Sequence, residues 1–482
     1  MLVDRERELG ELNVLLQSAR PSLLAVVGRR RLGKTTLLVH WARTSGHPYI
    51  YWVGSHFPSE TLLGQISKQV WQHSNPDRKV PVNFRYDSWS EAFEALAEAC
   101  QGDQRHIVIL DEFPYAIQSE PALPSALQNA WDHHLKFSNI SLVLCGSQVG
   151  MMERLLGADA PLYGRMFGPL RVRPLPYSAT AEFFPRYNAE QRIATYAILG
   201  GVPAYLEQFT DELSISQNLR HNLFRETGLF RTDPDYLIGE QVRDLKVYQA
   251  VLSAIALGAR KPADIALQAD LSQRSGVDPY LSQLVEMDYV RRELPTTVPP
   301  KKRQTSRLSR YVLSDNYLRF YFRFVRSNLN IIAQQLYDEV EKRISEQLRA
   351  FVRMAAFEEL SREWVLTQAR SGRMPFGVEQ VGSHWRGGVQ VDVVAINWRE
   401  KQILLGESKW QPEPIRNRIV RELIEVKTPK VLKILPEMGE DWQVHYAFFS
   451  RNGFTEAANS LANEHSAQLV DLERLDHDLC TA

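Results

Sequence analysis

The residues best placed to do chemistry begin at Gly28 and run Arg29-Arg30-Arg31-Leu32-Gly33-Lys34-Thr35-Thr36. Two glycines at this spacing let the backbone curl so that its N–H groups and the start of a following helix converge on an anion. Lys34 would then reach the β and γ phosphates of a nucleoside triphosphate, and the Thr35 hydroxyl would take one position on Mg²⁺. A nucleoside triphosphate with Mg²⁺ is therefore the expected ligand. Hydrolysis also needs a metal-organising carboxylate and a group to activate water. The run Ile107-Val108-Ile109-Leu110 ends in Asp111-Glu112, where Asp111 would hold the Mg²⁺ shell and Glu112 would act as general base.

These groups need elements to hold them. Leu23 to Val27 reads as a buried parallel strand, Thr36 to Ala42 as a helix opening from the loop, and Ile107 to Leu110 as a second strand whose C-terminal end delivers its acids to the ligand crevice. A third strand, Ser141 to Leu144, runs into Cys145-Gly146-Ser147-Gln148. There Ser147 is either a γ-phosphate sensor or part of a turn that closes the strand. Arg165, in Pro161-Leu162-Tyr163-Gly164-Arg165, could stabilise charge on the transferring phosphoryl group or lie at the surface.

Together with the N-terminal stretch Leu2-Val3-Asp4-Arg5-Glu6-Arg7-Glu8-Leu9, the Gly146-Ser147 turn, Tyr163-Gly164-Arg165 and Gly200-Gly201-Val202-Pro203, these motifs resemble the archaeal-type ATPase family, a relative of the AAA and other signal-transducing NTPases. The resemblance covers roughly the first half of the chain. It implies that Pro203 approaches the adenine and that the N-terminal stretch borders the base.

At 482 residues, the chain exceeds one ordinary core and suggests three or four domains. They are read as a P-loop ATPase core (1–178), a helical lid (179–240), a winged helix-turn-helix (241–328) and a C-terminal domain (329–482). Hydrophobic content of 44% and charged content of 24% fit a globular chain. Basic and acidic residues balance at 57 each, so any case for nucleic acid must be local. The three cysteines, Cys100, Cys145 and Cys480, are unclustered, which argues against a disulfide framework or a zinc site. With no apolar run of membrane-spanning length and a charged N-terminus, the expected location is the cytoplasm and no membrane partner is expected.

Val247 to Ala256, Lys261 to Ala266 and Asp278 to Met287 read as short amphipathic helices followed by the strand Tyr289 to Leu294, the order of a winged helix. From Arg291 to Arg326, Arg291, Arg292, Lys301, Lys302, Arg303, Arg307, Arg310, Arg319, Arg323 and Arg326 face only Glu293 and Asp315, with Tyr311, Tyr317, Phe320, Tyr321, Phe322 and Phe324 interleaved. The basic side chains could meet a DNA backbone, or the region could be a packing module with the aromatics in its core. Ser272-Gln273-Arg274-Ser275 opens the presumed recognition helix without a basic cluster.

In the last third, Asp392 follows Val391, and Glu407-Ser408-Lys409 ends the apolar run Ile403-Leu404-Leu405-Gly406. The strand period of two puts Glu407 and Lys409 on one face, where a hairpin partner can bring Asp392. Two carboxylates would bind Mg²⁺ and the lysine would stabilise or help to generate the hydroxide that attacks a phosphodiester; Glu358, in the preceding helix, could add a ligand. With Val381-Gly382-Ser383-His384-Trp385 ahead of the aspartate, the region resembles a PD-(D/E)xK nuclease-like domain. The whole is thus expected to be α/β: a parallel P-loop NTPase sheet with a helical lid, a winged helix-turn-helix and a restriction-endonuclease-like domain. Its expected function is an ATPase controlling a metal-dependent, DNA-acting module, in a homo-oligomer or with a protein partner. The alternative is an ATP-dependent regulatory or DNA-binding scaffold that does not cleave.

Overall fold

The computed structural model describes residues 3–225, 227–271 and 276–481. It divides into two compact units, Met1–Pro174 with Glu286–Asp288, and Leu175–Val285 with Tyr289–Ala482. Leu2 of the N-terminal stretch and the run 272–275 lie outside the described residues. No helix among the described residues is long and apolar enough to cross a membrane.

The first unit is built on five parallel strands: β1 (Ser22–Val27), β2 (Tyr49–Val53), β3 (His106–Asp111), β4 (Ile140–Gly146) and the short β5 (Leu170–Arg171), in the spatial order β2-β3-β4-β1-β5. Every residue of β1 and β4 is buried, as is β3 beyond His106. This explains their unbroken apolar runs, since a parallel sheet covered on both faces has no solvent side to alternate toward. The helices α1 (Glu6–Gln17) and α2 (Lys34–Thr44) flank β1, and α3 (Phe113–Ser119) leaves β3 after Glu112. Because β4 lies between β1 and β3, its end stands beside both the loop after β1 and the acids after β3.

In the second unit, α4 (Ala189–Leu199) starts at a capping box in which Asn188 and Gln191 exchange side-chain-to-backbone hydrogen bonds. The chain continues through α5 (Leu245–Ala256), α6 (Pro262–Gln268) and α7 (Asp278–Glu286) into an antiparallel ribbon of β6 (Val290–Glu293) and β7 (Arg310–Leu313). Tyr317 packs between Tyr205 and Phe230, with ring centroids 4.6 and 4.7 Å away. Tyr317, Phe320, Tyr321, Phe322 and Phe324 are all buried, so these aromatics are core. Of the interleaved basic residues, Arg291 and Arg319 both pair with the same carboxylate, Glu359. Burial alone would push Glu359 up; the two guanidiniums hold it down, to about 2. Arg292, Lys301, Lys302 and Arg307 remain exposed.

The last part carries a mixed sheet of β8 (Gln380–His384), β9 (Val391–Asn397), β10 (Gln402–Lys409), β11 (Gln443–Ser450) and β12 (Gln468–Asp471), in spatial order β12-β11-β10-β9-β8. β8, β9 and β10 are antiparallel neighbours, while β10, β11 and β12 run parallel. The helix α8 (Glu358–Arg370) precedes this sheet, and α9 (Leu472–Cys480) closes the chain. Asp476 on α9 accepts hydrogen bonds from the Tyr177 hydroxyl, at 2.5 Å, and from Arg192 on α4, so the C-terminal helix is tied to the start of the second unit.

Gly200 and Gly201 have a packing reason. Gly200 has φ +63°, in the left-handed region, and a Cβ on Gly201 would lie 1.8 Å from the Leu175 carbonyl oxygen. The Leu175 N–H donates to the Gly201 carbonyl at 2.6 Å, so the two backbones are pinned together. Gly201→Ala is expected to lower unfolding free energy by about 1–3 kcal/mol or more, read as a lower denaturant midpoint, because backbone rather than a flexible side chain must move.

Candidate functional site

The loop after β1 is shaped by its glycines. A Cβ on Gly28 would meet the Val172 carbonyl oxygen at 2.4 Å, and Gly33 caps α2 at φ +81°. Only glycine takes both positions without cost. Arg31, at φ +72°, holds a left-handed conformation that a side chain seldom adopts. Lys34 is buried and its Nζ donates to the Arg29 carbonyl at 3.0 Å, folding the lysine over the loop. Leu32 and Arg29 are buried, while Thr35 and Thr36 stand exposed on the first turn of α2. Arg30 donates to the Tyr115 hydroxyl at 2.5 Å.

One residue of the N-terminal stretch does more than border this loop. The Arg5 guanidinium donates to the Leu32 carbonyl and to the Arg173 carbonyl, both at 2.9 Å, and pairs with Glu8 at 2.8 Å. It is 4% exposed, so it clamps the loop from inside the fold. The sequence signal was the charged run Asp4 to Glu8, which does not single out Arg5.

The ends of β3 and β4 meet the loop. Asp111, 1% exposed, accepts from the Thr35 hydroxyl at 2.6 Å, from the Tyr51 hydroxyl at 3.0 Å and from the Glu112 N–H at 2.9 Å. Burial and the Asp111 charge push the Tyr51 phenol well up, and burial does the same to the Cys145 thiol on β4. Both stay protonated, and Tyr51 is a donor that sequence reading missed. Glu112 has φ +48°, strained for a residue with a side chain. Its carboxylate accepts from the Ser147 hydroxyl at 2.8 Å and the Ser147 N–H at 3.2 Å. Ser147 and Glu112 are thus one hydrogen-bonded pair. Arg165 forms a two-pronged pair with Asp132, at 2.7 and 2.9 Å, and donates to the carbonyls of Pro161 and Tyr163. Pro203 belongs to the second unit, at the first position of the short helix Pro203–Leu206.

The second unit brings together the other acids. Lys409 Nζ donates to Glu407 and stands 3.6 Å from the Asp392 carboxylate, while the Asp392 carboxylate also accepts from the Ser408 N–H at 3.2 Å. The antiparallel register of β9 against β10, with Val393 opposite Gly406, places these three at one edge. A second cation, Lys427, donates to the other Glu407 oxygen at 2.6 Å. It ends the helical turn Glu422–Lys427, and nothing in its spacing from Glu407 announces it. Burial, then the Asp392 charge, pushes Glu358 up to about 7, against the pull of Arg362, Arg353 and Arg260. Glu358 and Asp392 line a common cavity. Among the described residues, no three His, Cys, Asp or Glu side chains form a ready metal cage.

A parallel sheet with a glycine-bounded loop between β1 and α2, a lysine and a hydroxyl at the head of that helix, and an Asp-Glu pair at the end of β3 defines a P-loop nucleoside triphosphatase. Residues 2–209 match the model of an ATPase domain predominantly from Archaea, and residues 321–422 that of archaeal and bacterial proteins of unknown function. An uncharacterized protein of Methanocaldococcus jannaschii is 30% identical over 425 residues, covering 88% of this chain and 90% of its own. The chain belongs to the archaeal-type ATPase family. Among solved structures, a Walker-type ATPase of Pyrococcus abyssi is similar with TM-score 0.51 at 20% identity, over 67% of this chain and 96% of its own. The ORC2 protein of Aeropyrum pernix, in ADPNP–ADP complexes, has TM-score 0.44 at 16% identity, over 70% and 96%.

Glu112→Gln keeps the shape and the Ser147 contact but removes the basic oxygen. It is expected to bind ATP as the wild type does while turnover falls about 10²–10⁴-fold, measured by phosphate release beside nucleotide binding. The second site has a pH signature. The folded protein holds a proton on Glu358 that the unfolded chain releases, so this residue's stabilising contribution is complete below about pH 4.5 and is lost as pH rises toward about 7. Unfolding free energies of the wild type and Glu358→Gln should diverge across that window, with the wild type falling relative to the variant.

Proposed function

We propose that the chain is an ATP-driven switch whose second unit carries a metal-dependent, DNA-acting nuclease-like module. The observation that carries this reading is the convergence of Asp392, Glu407 and Lys409 at one edge of a mixed sheet, in a chain whose first unit is an ATPase.

In the first unit, Thr35 and Asp111 would hold Mg²⁺ beside the triphosphate. Their oxygens are 2.6 Å apart, the all-oxygen donor type that a hard cation takes. Lys34 would release the Arg29 carbonyl to meet the phosphates, and Glu112 would take the proton of the attacking water. Arg165 would offset charge on the transferring phosphoryl group if it left its pairing with Asp132.

In the second unit, Asp392 and Glu407 would hold a divalent cation, with Glu358 beside Asp392. Carboxylates alone suit Mg²⁺ or Mn²⁺, and a dication would offset the burial and the Asp392 charge that together raise Glu358. When bound, such an ion makes hydroxide available near neutral pH. Lys409 is placed to offset charge building on the phosphodiester oxygens. The water oxygen bonds to phosphorus, the bond from phosphorus to one strand oxygen breaks, and that oxygen takes up a proton. Exposed Arg292, Lys301, Lys302 and Arg307, on the ribbon and its connection, support contact with the nucleic-acid backbone.

One observation favours the second reading, an ATP-dependent scaffold without cleavage: both Glu407 oxygens already carry a lysine. The two readings separate in a cleavage assay on supercoiled and linear DNA with Mg²⁺ or Mn²⁺, with and without ATP. The wild type is expected to cut, Asp392→Ala to lose more than about a hundredfold in rate, and Lys34→Ala to lose the response to ATP. No cutting of any DNA form by the wild type would leave the scaffold.

A further inference from the structure

The cavity shared by Asp392 and Glu358 is lined wholly by residues of the second unit, opens on one side to solvent and measures about 170 Å³. Its wall also carries Arg260, Arg310 and Trp385. Most arginines of this region have carboxylate or carbonyl partners: Arg291 and Arg319 are taken by Glu359, and Arg362 donates to the Asp392 carbonyl at 3.0 Å. Arg260 and Arg310 differ. Among the described residues neither forms an ion pair, yet both are half-buried and face the same space.

Their placement is built rather than incidental. The Tyr311 N–H donates to the Arg260 carbonyl at 2.8 Å, fixing the turn after α5 against β7. The Arg310 guanidinium lies 4.7 Å from the centre of the Trp385 ring, and the Trp385 indole donates to the Leu308 carbonyl at 3.0 Å, so the platform is itself held. Burial, then the charge of Arg260, lowers Arg310 from its usual range, and Arg260 also acts on Glu358. Arg260 is thus electrostatically coupled to Arg310 on one side and to the acids on the other. Glu293, in the same wall, pulls against this lowering of Arg310 without forming an ion pair with it, and two like charges at a half-buried wall still favour an anion. Planar guanidiniums, one of them stacked on an aromatic ring, match phosphate in particular.

The cavity is smaller than the about 300–1,000 Å³ of a pocket that takes a whole drug-sized ligand. It accommodates a phosphate with its sugar, and a double helix does not enter. We propose that Arg260 and Arg310 form a subsite for the terminal 5′-phosphate of a DNA strand, so that the acids of the same cavity work from a phosphorylated strand end. This rests on the nuclease-like reading of Asp392, and it adds the substrate class.

The test is binding of a short single-stranded DNA, labelled at its 3′ end and bearing either a 5′-phosphate or a 5′-hydroxyl, to the full chain in Ca²⁺ without ATP, followed by fluorescence anisotropy. The phosphorylated strand is expected to bind about tenfold tighter or more, the scale of a charge-assisted contact. Arg260→Gln/Arg310→Gln should abolish the difference, and Arg260→Lys/Arg310→Lys should keep part of it. Equal binding of the two strands by the wild type, or a preference that survives the glutamine pair, overturns the subsite; if that pair does not fold, Arg310→Gln alone gives the same reading. Thymidine monophosphate displacing the strand at equal concentration would assign the pocket to a free nucleotide and overturn the strand-end proposal. A chain that shows the preference but never cuts DNA sinks the nuclease reading and leaves the subsite; one that cuts without preference does the reverse.

Discussion

A carboxylate removed from water must be surrounded by donors, and Asp111 is where the first unit meets that demand. Its three partners come from three places: the head of α2, the neighbouring strand β2 and the next residue along the chain. Each is fixed by something else. Thr35 is set by the glycine cap of α2, Tyr51 by pairing of β2 with β3, and the Glu112 N–H by a backbone held in the left-handed region. The loop, the sheet edge and the strained turn are thus parts of one hydrogen-bonded arrangement. Arg5 extends it by holding the Leu32 carbonyl from below.

The second unit solves the same problem mainly with charge, beside one backbone donor, the Ser408 N–H on Asp392. Glu407 is 2% exposed and carries a lysine on each oxygen, whereas Asp392 shares one of those lysines and leaves Glu358 to face it across the cavity. The three acids therefore sit in three environments. Glu407 is fully compensated, Asp392 is compensated on one side, and Glu358 is pushed toward neutrality by burial and by its neighbour.

The parts of this that could be read from the chain are those whose chemistry is local. The loop from Gly28 to Thr36, the apolar run that ends in Asp111-Glu112 and the Glu-x-Lys alternation on β10 each depend on residues within a turn or a strand of one another. What spacing does not encode is which strands become neighbours. The insertion of β4 between β1 and β3 is a long-range choice, and it turns Ser147 and Glu112 into partners 35 residues apart. Lys427 reaches Glu407 from a later helical turn, and Tyr51 reaches Asp111 from another strand, with no local pattern to mark either. The count of basic residues between Arg291 and Arg326 could not show that Glu359, on a helix further along, pairs with two of them.

The pair of lysines on Glu407 also bears on how the chain is made. A carboxylate buried without a partner is costly to a fold, because the charge has lost its water. Here Lys409 and Lys427 act as internal counter-ions to Glu407, so its charge is balanced by the polypeptide itself. Folding of the second unit therefore leaves no stranded charge at Glu407: the buried carboxylate draws both of its counter-ions from its own chain.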